Sequence, residues 1–316
     1  MGRFLSVFLF VFIFLLGIYL VKYQNVSLDS PIPKVFGAST EPLKNDWFPK
    51  GNIAKFNNRD LTISANSAIL VDFDTAEIIY QKDSKKKLPV ASITKVMTAL
   101  VALEAKSPDT VFTVSEKAAR VGEDSMGLAE GEKASLSELL YGLMLPSGND
   151  AAVTIAEGVF GSEDAFVTQM NGQARDLGMY DTKFINASGL DEDDRSQYST
   201  AYDLTVLAHY AWSKFPLFRK VSATDHILID ATSSHKAFDL YNQTNLLTTY
   251  PGVLGIKPGF TWDAGWCLMT YAENNNVKLV GVILGSGDRR GEMKELLDYG
   301  FAKYGITVDH PALDLR

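Results

Sequence analysis

The chain has 316 residues, 46% of them hydrophobic and 22% charged, the profile of an ordinary globular protein with room for one large domain or two modest ones. Its net charge is −8 and its longest basic run is Lys85-Lys86-Lys87, read as a solvated hairpin end, so no nucleic acid is expected as a partner. Cys267 is the single cysteine, which excludes an intramolecular disulfide, and His209, His226, His235 and His310 lack metal-ligand spacing; neither a metal nor another cofactor is expected.

Residues 4–21 form an unbroken, mostly apolar run preceded by Arg3. A secretory h-region is typically ~7–15 residues and a spanning helix ~17–25. The run has no polar face, and the nearest cleavage pattern, ending at Ala38, has Phe36 where a small residue belongs. Residues 1–21 therefore read as a transmembrane signal-anchor, with a cleaved signal peptide as the alternative. Either puts the remainder outside the cytoplasm, and the anchor holds it at the cell membrane. Residues 22–60 carry Pro31, Pro33, Pro42 and Pro49 without any period and read as a stem.

Order is predicted from residue 61. Residues 67–72 and 77–81 read as a strand pair around Phe73-Asp74-Thr75-Ala76. Pro89 precedes a helix opening near Ser92, with Val96, Met97, Leu100, Val101 and Leu103 as its apolar stripe. Further helices are predicted over 136–145, entered through Ser135 with Glu138 at capping-box spacing, and over 151–159. Two more follow over 165–177, closed by Gly178, and 200–212, with Thr200 as cap. Strands return at 226–230, 255–261, 266–271 and 277–284, the last two joined by Glu273-Asn274-Asn275-Asn276. A helix over 290–304 closes the series. Strands at both ends with helices between them imply an α/β (α+β) fold: an antiparallel sheet built from N- and C-terminal segments, with flanking helices and an inserted all-helical lobe. The catalytic domain is expected over 61–305, with 306–316 as a tail.

Three short motifs stand in order: Ser92-Ile93-Thr94-Lys95, Ser147-Gly148-Asn149 and Lys257-Pro258-Gly259. Ser92 and Lys95, three apart at a helix start, share a face. A serine hydroxyl becomes a nucleophile only when a base takes its proton, and a lysine is that base only when burial or a nearby cation lowers its pKa. Singly, each motif has a plainer reading: a helix cap beside a solvated lysine, a turn between helices, an exposed edge-strand lysine. Together they supply a nucleophile, a base, a proton relay, an amide and a second cation, the set needed for acyl transfer through a serine. Pro258 cannot donate to a ladder, so its strand is expected at a sheet edge. There Gly259 lets a peptide backbone approach and pair.

The neighbourhoods of these motifs resemble the serine D-alanyl-D-alanine carboxypeptidases, the low-molecular-mass penicillin-binding proteins. The similarity runs from about Ser67 to Tyr304. It rests on Pro89-Val90-Ala91-Ser92-Ile93-Thr94-Lys95-Val96-Met97-Thr98, on Leu145-Pro146-Ser147-Gly148-Asn149-Asp150-Ala151, on Phe184-Ile185-Asn186-Ala187-Ser188-Gly189-Leu190 and on Gly255-Ile256-Lys257-Pro258-Gly259-Phe260-Thr261. The resemblance implies a β-lactamase/transpeptidase-like fold, peptidoglycan stem peptides as substrate and β-lactam antibiotics as acylating inhibitors. Ser92 would attack the carbonyl of the penultimate D-Ala and Lys95 would take its proton. Ser147 would pass a proton to the departing D-Ala, and Asn149 would hold a substrate amide. Backbone N–H groups of Ser92 and Phe260 would form the oxyanion hole, with Lys257 and Gly259 binding substrate.

One departure is plain. Pro258 stands where the family usually has threonine, whose hydroxyl is expected to help bind the terminal carboxylate. Lys257 and Thr261 are the candidates to take over that contact. The change keeps a D,D-endopeptidase and a non-catalytic wall-binding protein open beside the carboxypeptidase. A β-lactamase has less support, because Asp191-Glu192-Asp193-Asp194 lacks the Glu-x-x-Leu-Asn context of those enzymes.

Overall fold

The computed structural model describes residues 45–51, 61–193 and 196–311. The predicted anchor, residues 1–21, and most of the predicted stem lie outside the described residues. Among those described, no helix is long and apolar enough to cross a membrane.

Strands β1 (Ser67–Asp72) and β2 (Ile78–Lys82) open the fold as an antiparallel pair. A 3-10 turn, Ala91–Ile93, runs straight into α1 (Thr94–Ala105). Then come β3 (Val111–Thr113), α2 (Glu116–Arg120), β4 (Lys133–Ser135), α3 (Leu136–Met144), α4 (Asn149–Phe160) and α5 (Glu163–Asp176). The middle of the chain continues through α6 (Ala201–Lys214), α7 (Pro216–Ser222), β5 (His226–Ile229), β6 (Phe238–Tyr241) and the short α8 (Leu246–Thr249). Strands β7 (Val253–Thr261), β8 (Gly265–Asn274) and β9 (Val277–Ser286) and helix α9 (Arg289–Ala302) complete it.

The main sheet runs β2-β1-β9-β8-β7, antiparallel throughout. Both ends of the chain thus build one sheet, and β7, which carries Pro258, is its edge. The β8–β9 turn places Asn275 and Asn276 at φ 49° and 65°, the left-handed pair a tight hairpin needs and asparagine tolerates. The inserted region is not all-helical: β3 pairs with β4 and β5 with β6 in two small ribbons. Strands of three residues, as in β3 and β4, are too short for a period of two to be read from sequence.

Every residue of β1 is buried, so its side chains supply two cores, one on each face of the sheet. Ile69, Val71, Met269 and Val282 pack with Val96, Leu140, Ile155 and Leu207 of the helical side. Ala68, Leu70, Leu268 and Ile283 pack with Leu296, Leu297 and Phe301 of α9. Helix α1 is buried from Thr94 through Ala102. It is a central helix with no polar face, and that position carries Lys95 into the interior.

Residues 45–51, expected in the stem, instead lie against this body. The Trp47 indole donates to Phe73 O at 2.8 Å and stacks on His209 at 4.1 Å between ring centroids. Tyr202 Oη donates to Pro49 O, and the Lys50 backbone forms a parallel β-bridge with Glu77. These contacts come from isolated side chains and one backbone bridge, not from a repeating face, so periodicity could not reveal them. Burial in that stack pushes the His209 imidazole down to about 4 and keeps it neutral.

Candidate active site

The turn before α1 sets the nucleophile. Ala91 adopts φ 49°, a left-handed conformation that costs a non-glycine residue energy and persists only when its surroundings hold it. Two glycines do so. A Cβ on Gly189 would fall 2.1 Å from Ala91 O, and one on Gly259 would fall 3.0 Å from Ser92 N. Only bare backbone lets the 189 loop and strand β7 close on the turn. Ser92 is left half-buried at the mouth of a cleft of about 320 Å³.

One turn on, Lys95 lies beneath it. Its Nζ is 2.9 Å from Ser92 Oγ, 2.8 Å from Asn149 Oδ1 and 2.7 Å from Ser188 O. The 186–190 loop is itself fixed, because Thr98 Oγ1 donates to Ala187 O and Gly189 N donates to Asn186 Oδ1. That contact is the structural use of the Asn186-Ala187-Ser188-Gly189 stretch. Lys95 is fully buried, and burial lowers its amine to about 7 against the upward pull of Asp124, Glu123 and Asp150.

Ser147, at φ 66°, lines the same cleft just before α4. It is 1% exposed, and its Oγ has no hydrogen-bond partner among the described residues. Asn149 Nδ2 donates to Gly122 O at 2.9 Å, which fixes the amide so that its oxygen faces Lys95. Lys257 of β7 lies near Lys95, fully buried and, among the described residues, also without a hydrogen-bond partner at Nζ. The second positive charge expected at 257 is disfavoured by its surroundings. Burial, and then the neighbouring Lys95, hold the Lys257 amine well below the ordinary lysine value. Burial thus pushes both amines towards their neutral forms.

Pro258, Gly259 and Phe260 of β7 line the cleft on the sheet side. The Thr261 hydroxyl accepts from Ala264 N at 3.2 Å, which ties the β7–β8 turn and leaves its O–H to donate. A residue not singled out from sequence also stands on this wall. Arg289, the first residue of α9, lines the cleft, donates to Gly259 O at 2.9 Å and lies 4.5 Å from the Trp266 ring centre. Burial brings its guanidinium down to about 10, so it stays charged at neutral pH. In the sequence, Arg289-Arg290 at a helix start looks like a solvated pair, and only the fold returns it to β7. Cys267 is buried in β8 behind this wall, its thiol pushed up to about 11, and it is inert as a nucleophile.

The structure therefore brings together Ser92, Lys95, Ser147, Asn149, Lys257, Gly259 and Phe260 from three distant segments. Residues 54–288 match the family model described as D-alanyl-D-alanine carboxypeptidase. The D-alanyl-D-alanine carboxypeptidase DacF of Bacillus subtilis is 36% identical over 254 residues, covering 78% of this chain and 64% of its own length. DacC of Escherichia coli is 30% identical over 262 residues, covering 76% and 62%. The chain thus spans a little under two thirds of these relatives. Among solved structures, the Streptomyces K15 DD-transpeptidase aligns with a TM-score of 0.72 at 29% identity over 77% of this chain and 98% of its own. DacD of Francisella tularensis aligns with a TM-score of 0.69 at 28% identity, over 80% and 74%. On these matches, over a fold and a cleft that agree with them, the chain belongs to the D-alanyl-D-alanine carboxypeptidase family.

Proposed function

We propose that this chain is a serine D-Ala-D-Ala carboxypeptidase that removes the terminal D-Ala of peptidoglycan stem peptides through an acyl-enzyme on Ser92. The observation that carries the reading is the three-point setting of Lys95 Nζ. Two of its partners, Asn149 Oδ1 and Ser188 O, can only accept. A neutral amine has two N–H donors and one lone pair. With both donors on those oxygens, the lone pair is left for the Ser92 hydroxyl. An amine at about 7 is neutral often enough at physiological pH to take that proton as Ser92 Oγ attacks the carbonyl carbon.

The negative charge that develops on the carbonyl oxygen falls between the backbone N–H groups of Ser92 and Phe260, both bordering the cleft. Ser147 Oγ, buried and free of protein partners, relays a proton to the nitrogen of the departing D-Ala. A substrate carboxylate gives Lys257 the partner its Nζ lacks and favours its protonated form, with Arg289 as the fixed cation beside it. Water then cleaves the ester on Ser92 and returns the enzyme. β-Lactams enter as acyl donors at the same serine. The enzyme works in the cell envelope, held at the membrane by residues 1–21.

Pro258 favours a second reading on the same scaffold. Without a hydroxyl there, the grip on a terminal carboxylate weakens, and a D,D-endopeptidase cutting cross-links needs no such grip. The deciding assay offers an N-acylated peptide ending in D-Ala-D-Ala beside a cross-linked dimer. Release of free D-Ala from the linear peptide is the expected result. Cleavage of the dimer alone overturns the carboxypeptidase in favour of the endopeptidase, and turnover of neither overturns both.

A further inference from the structure

On its sheet side the cleft ends in a run of aromatic rings that leads out to solvent. Phe260 of β7 and Trp266 of β8 are partners across the ladder, so their side chains share one face of the sheet. Their ring centroids lie 4.3 Å apart, and both residues line the cavity that Ser92 lines. The Arg289 guanidinium lies 4.5 Å from the Trp266 ring centre. On the outer side Trp262, at the β7–β8 turn, meets Phe260 edge-on at 5.6 Å between centroids, and among the described residues this is its one ring contact.

Trp262 is 92% exposed, next to Trp266 at 42% and Phe260 at 36%. A lone exposed apolar side chain is ordinary, but adjoining aromatic rings at the mouth of a cleft mark a binding surface. The turn that carries Trp262 is tied down. Thr261 Oγ1 accepts from Ala264 N, and Asp263 N donates to Asp191 Oδ2 at 3.3 Å. The indole therefore stands on fixed backbone, and holding its side-chain torsions on binding costs little. It offers one broad π-face of negative character, flanked by the exposed carboxylates of Asp191 and Asp263. That pairing selects among ligands. An anionic lipid surface is repelled by the two acids. A sugar ring suits both features: its weakly positive C–H face lies on the indole, and its hydroxyl and acetamido N–H groups donate to the carboxylates.

We propose that Trp262, supported by Phe260, is a stacking site for an amino-sugar ring of the peptidoglycan glycan strand. This rests on the carboxypeptidase reading above and adds a second point of contact to it. Stem peptides hang from a polymer of N-acetylated amino sugars, and the aromatic step begins where the peptide cleft ends. The site takes the neutral sugar backbone and makes no demand on the side chains of the peptide. By holding the enzyme on the polymer it favours wall-bound peptide over free peptide.

The test measures binding of the full chain, in detergent micelles, to glycan strands stripped of their peptides by an amidase. No stem peptide is present, so the result stands whether or not Ser92 turns one over, and D-Ala release from a linear peptide tests the carboxypeptidase reading separately. Trp262→Ala weakens glycan binding about tenfold, while Trp262→Phe, which keeps a ring, stays within about threefold of the wild type. Both variants keep the wild-type unfolding midpoint, because the side chain replaced is 92% exposed. Raising salt to about 0.5 M changes the affinity less than about twofold, because the ligand is neutral. A wild type that does not bind the strands, equal binding by wild type and Trp262→Ala, or a steep loss with salt overturns the site. So does quenching of indole fluorescence by brominated phosphatidylglycerol in nanodiscs that disappears in Trp262→Phe, which assigns the ring to lipid.

Discussion

Titrating Lys95 tests how burial arms Ser92. With its amine at about 7, about a tenth of Lys95 is neutral at pH 6 and about nine tenths at pH 8. If the neutral amine is the base, acylation of Ser92 by a penicillin rises about tenfold over that interval and levels off above it. A lysine left at its ordinary 10.5 gives about a hundredfold rise over the same interval and no plateau. The assay is the second-order rate of adduct formation, read by intact mass between about pH 5.5 and 9. Lys95→Arg keeps the length and charge but cannot deprotonate; it loses roughly a thousandfold or more of the rate, and the inflection with it. The same shift acts on stability. Lys95 binds its proton more weakly folded than unfolded, so between about 7 and 10.5 the unfolded chain holds more protons and stability rises with pH. Below pH 7 this one group leaves the fold about 5 kcal/mol less stable than above both values. A hundredfold climb without plateau, or an acylation rate indifferent to pH, refutes the claim that burial prepares this amine.

Three further outcomes follow from single contacts. Gly259→Ala puts a methyl 3.0 Å from Ser92 N and 3.1 Å from Ala91 Cβ, which forces β7 away from the nucleophile; acylation by penicillin falls about 10- to 100-fold, measured as the rate of mass gain. Pro258→Thr restores a donor on the sheet wall beside Arg289. A hydrogen bond to a charged group is worth roughly 1.5–3 kcal/mol, so terminal D-Ala release gains about tenfold or more over cross-link cleavage, read in the paired peptide assay. Asp150→Ala removes the acceptor for the backbone N–H groups of Met126, Gly127 and Leu128, costs roughly 3 kcal/mol and lowers the unfolding midpoint measured by calorimetry.

How far the sequence reaches depends on whether a feature is local. Ser92, Lys95, Ser147, Asn149 and Lys257 are legible because each stands in a short motif whose residue types demand chemistry. The edge position of β7 is legible because Pro258 forbids a second ladder. The sheet order follows from strands at both ends of the chain. Arg289 is hidden, since nothing near it announces that α9 begins beside Gly259. The lowered pKa of Lys257 is hidden for the same reason: burial and the approach of Lys95 exist only in three dimensions. The Thr261 hydroxyl also ties the β7–β8 turn by accepting from Ala264 N, a contact the sequence does not announce. The packing of residues 45–51 depends on isolated side chains such as Trp47 meeting His209, which no periodic pattern encodes.

The central claim is that the hydroxyl at position 92 is the nucleophile, and intact mass after exposure to benzylpenicillin tests it most directly. The wild-type protein is predicted to gain the mass of one penicilloyl group, mapped by peptide digestion to Ser92, while Ser92→Ala gains none. An unmodified wild type, or an adduct that persists in Ser92→Ala, contradicts the account.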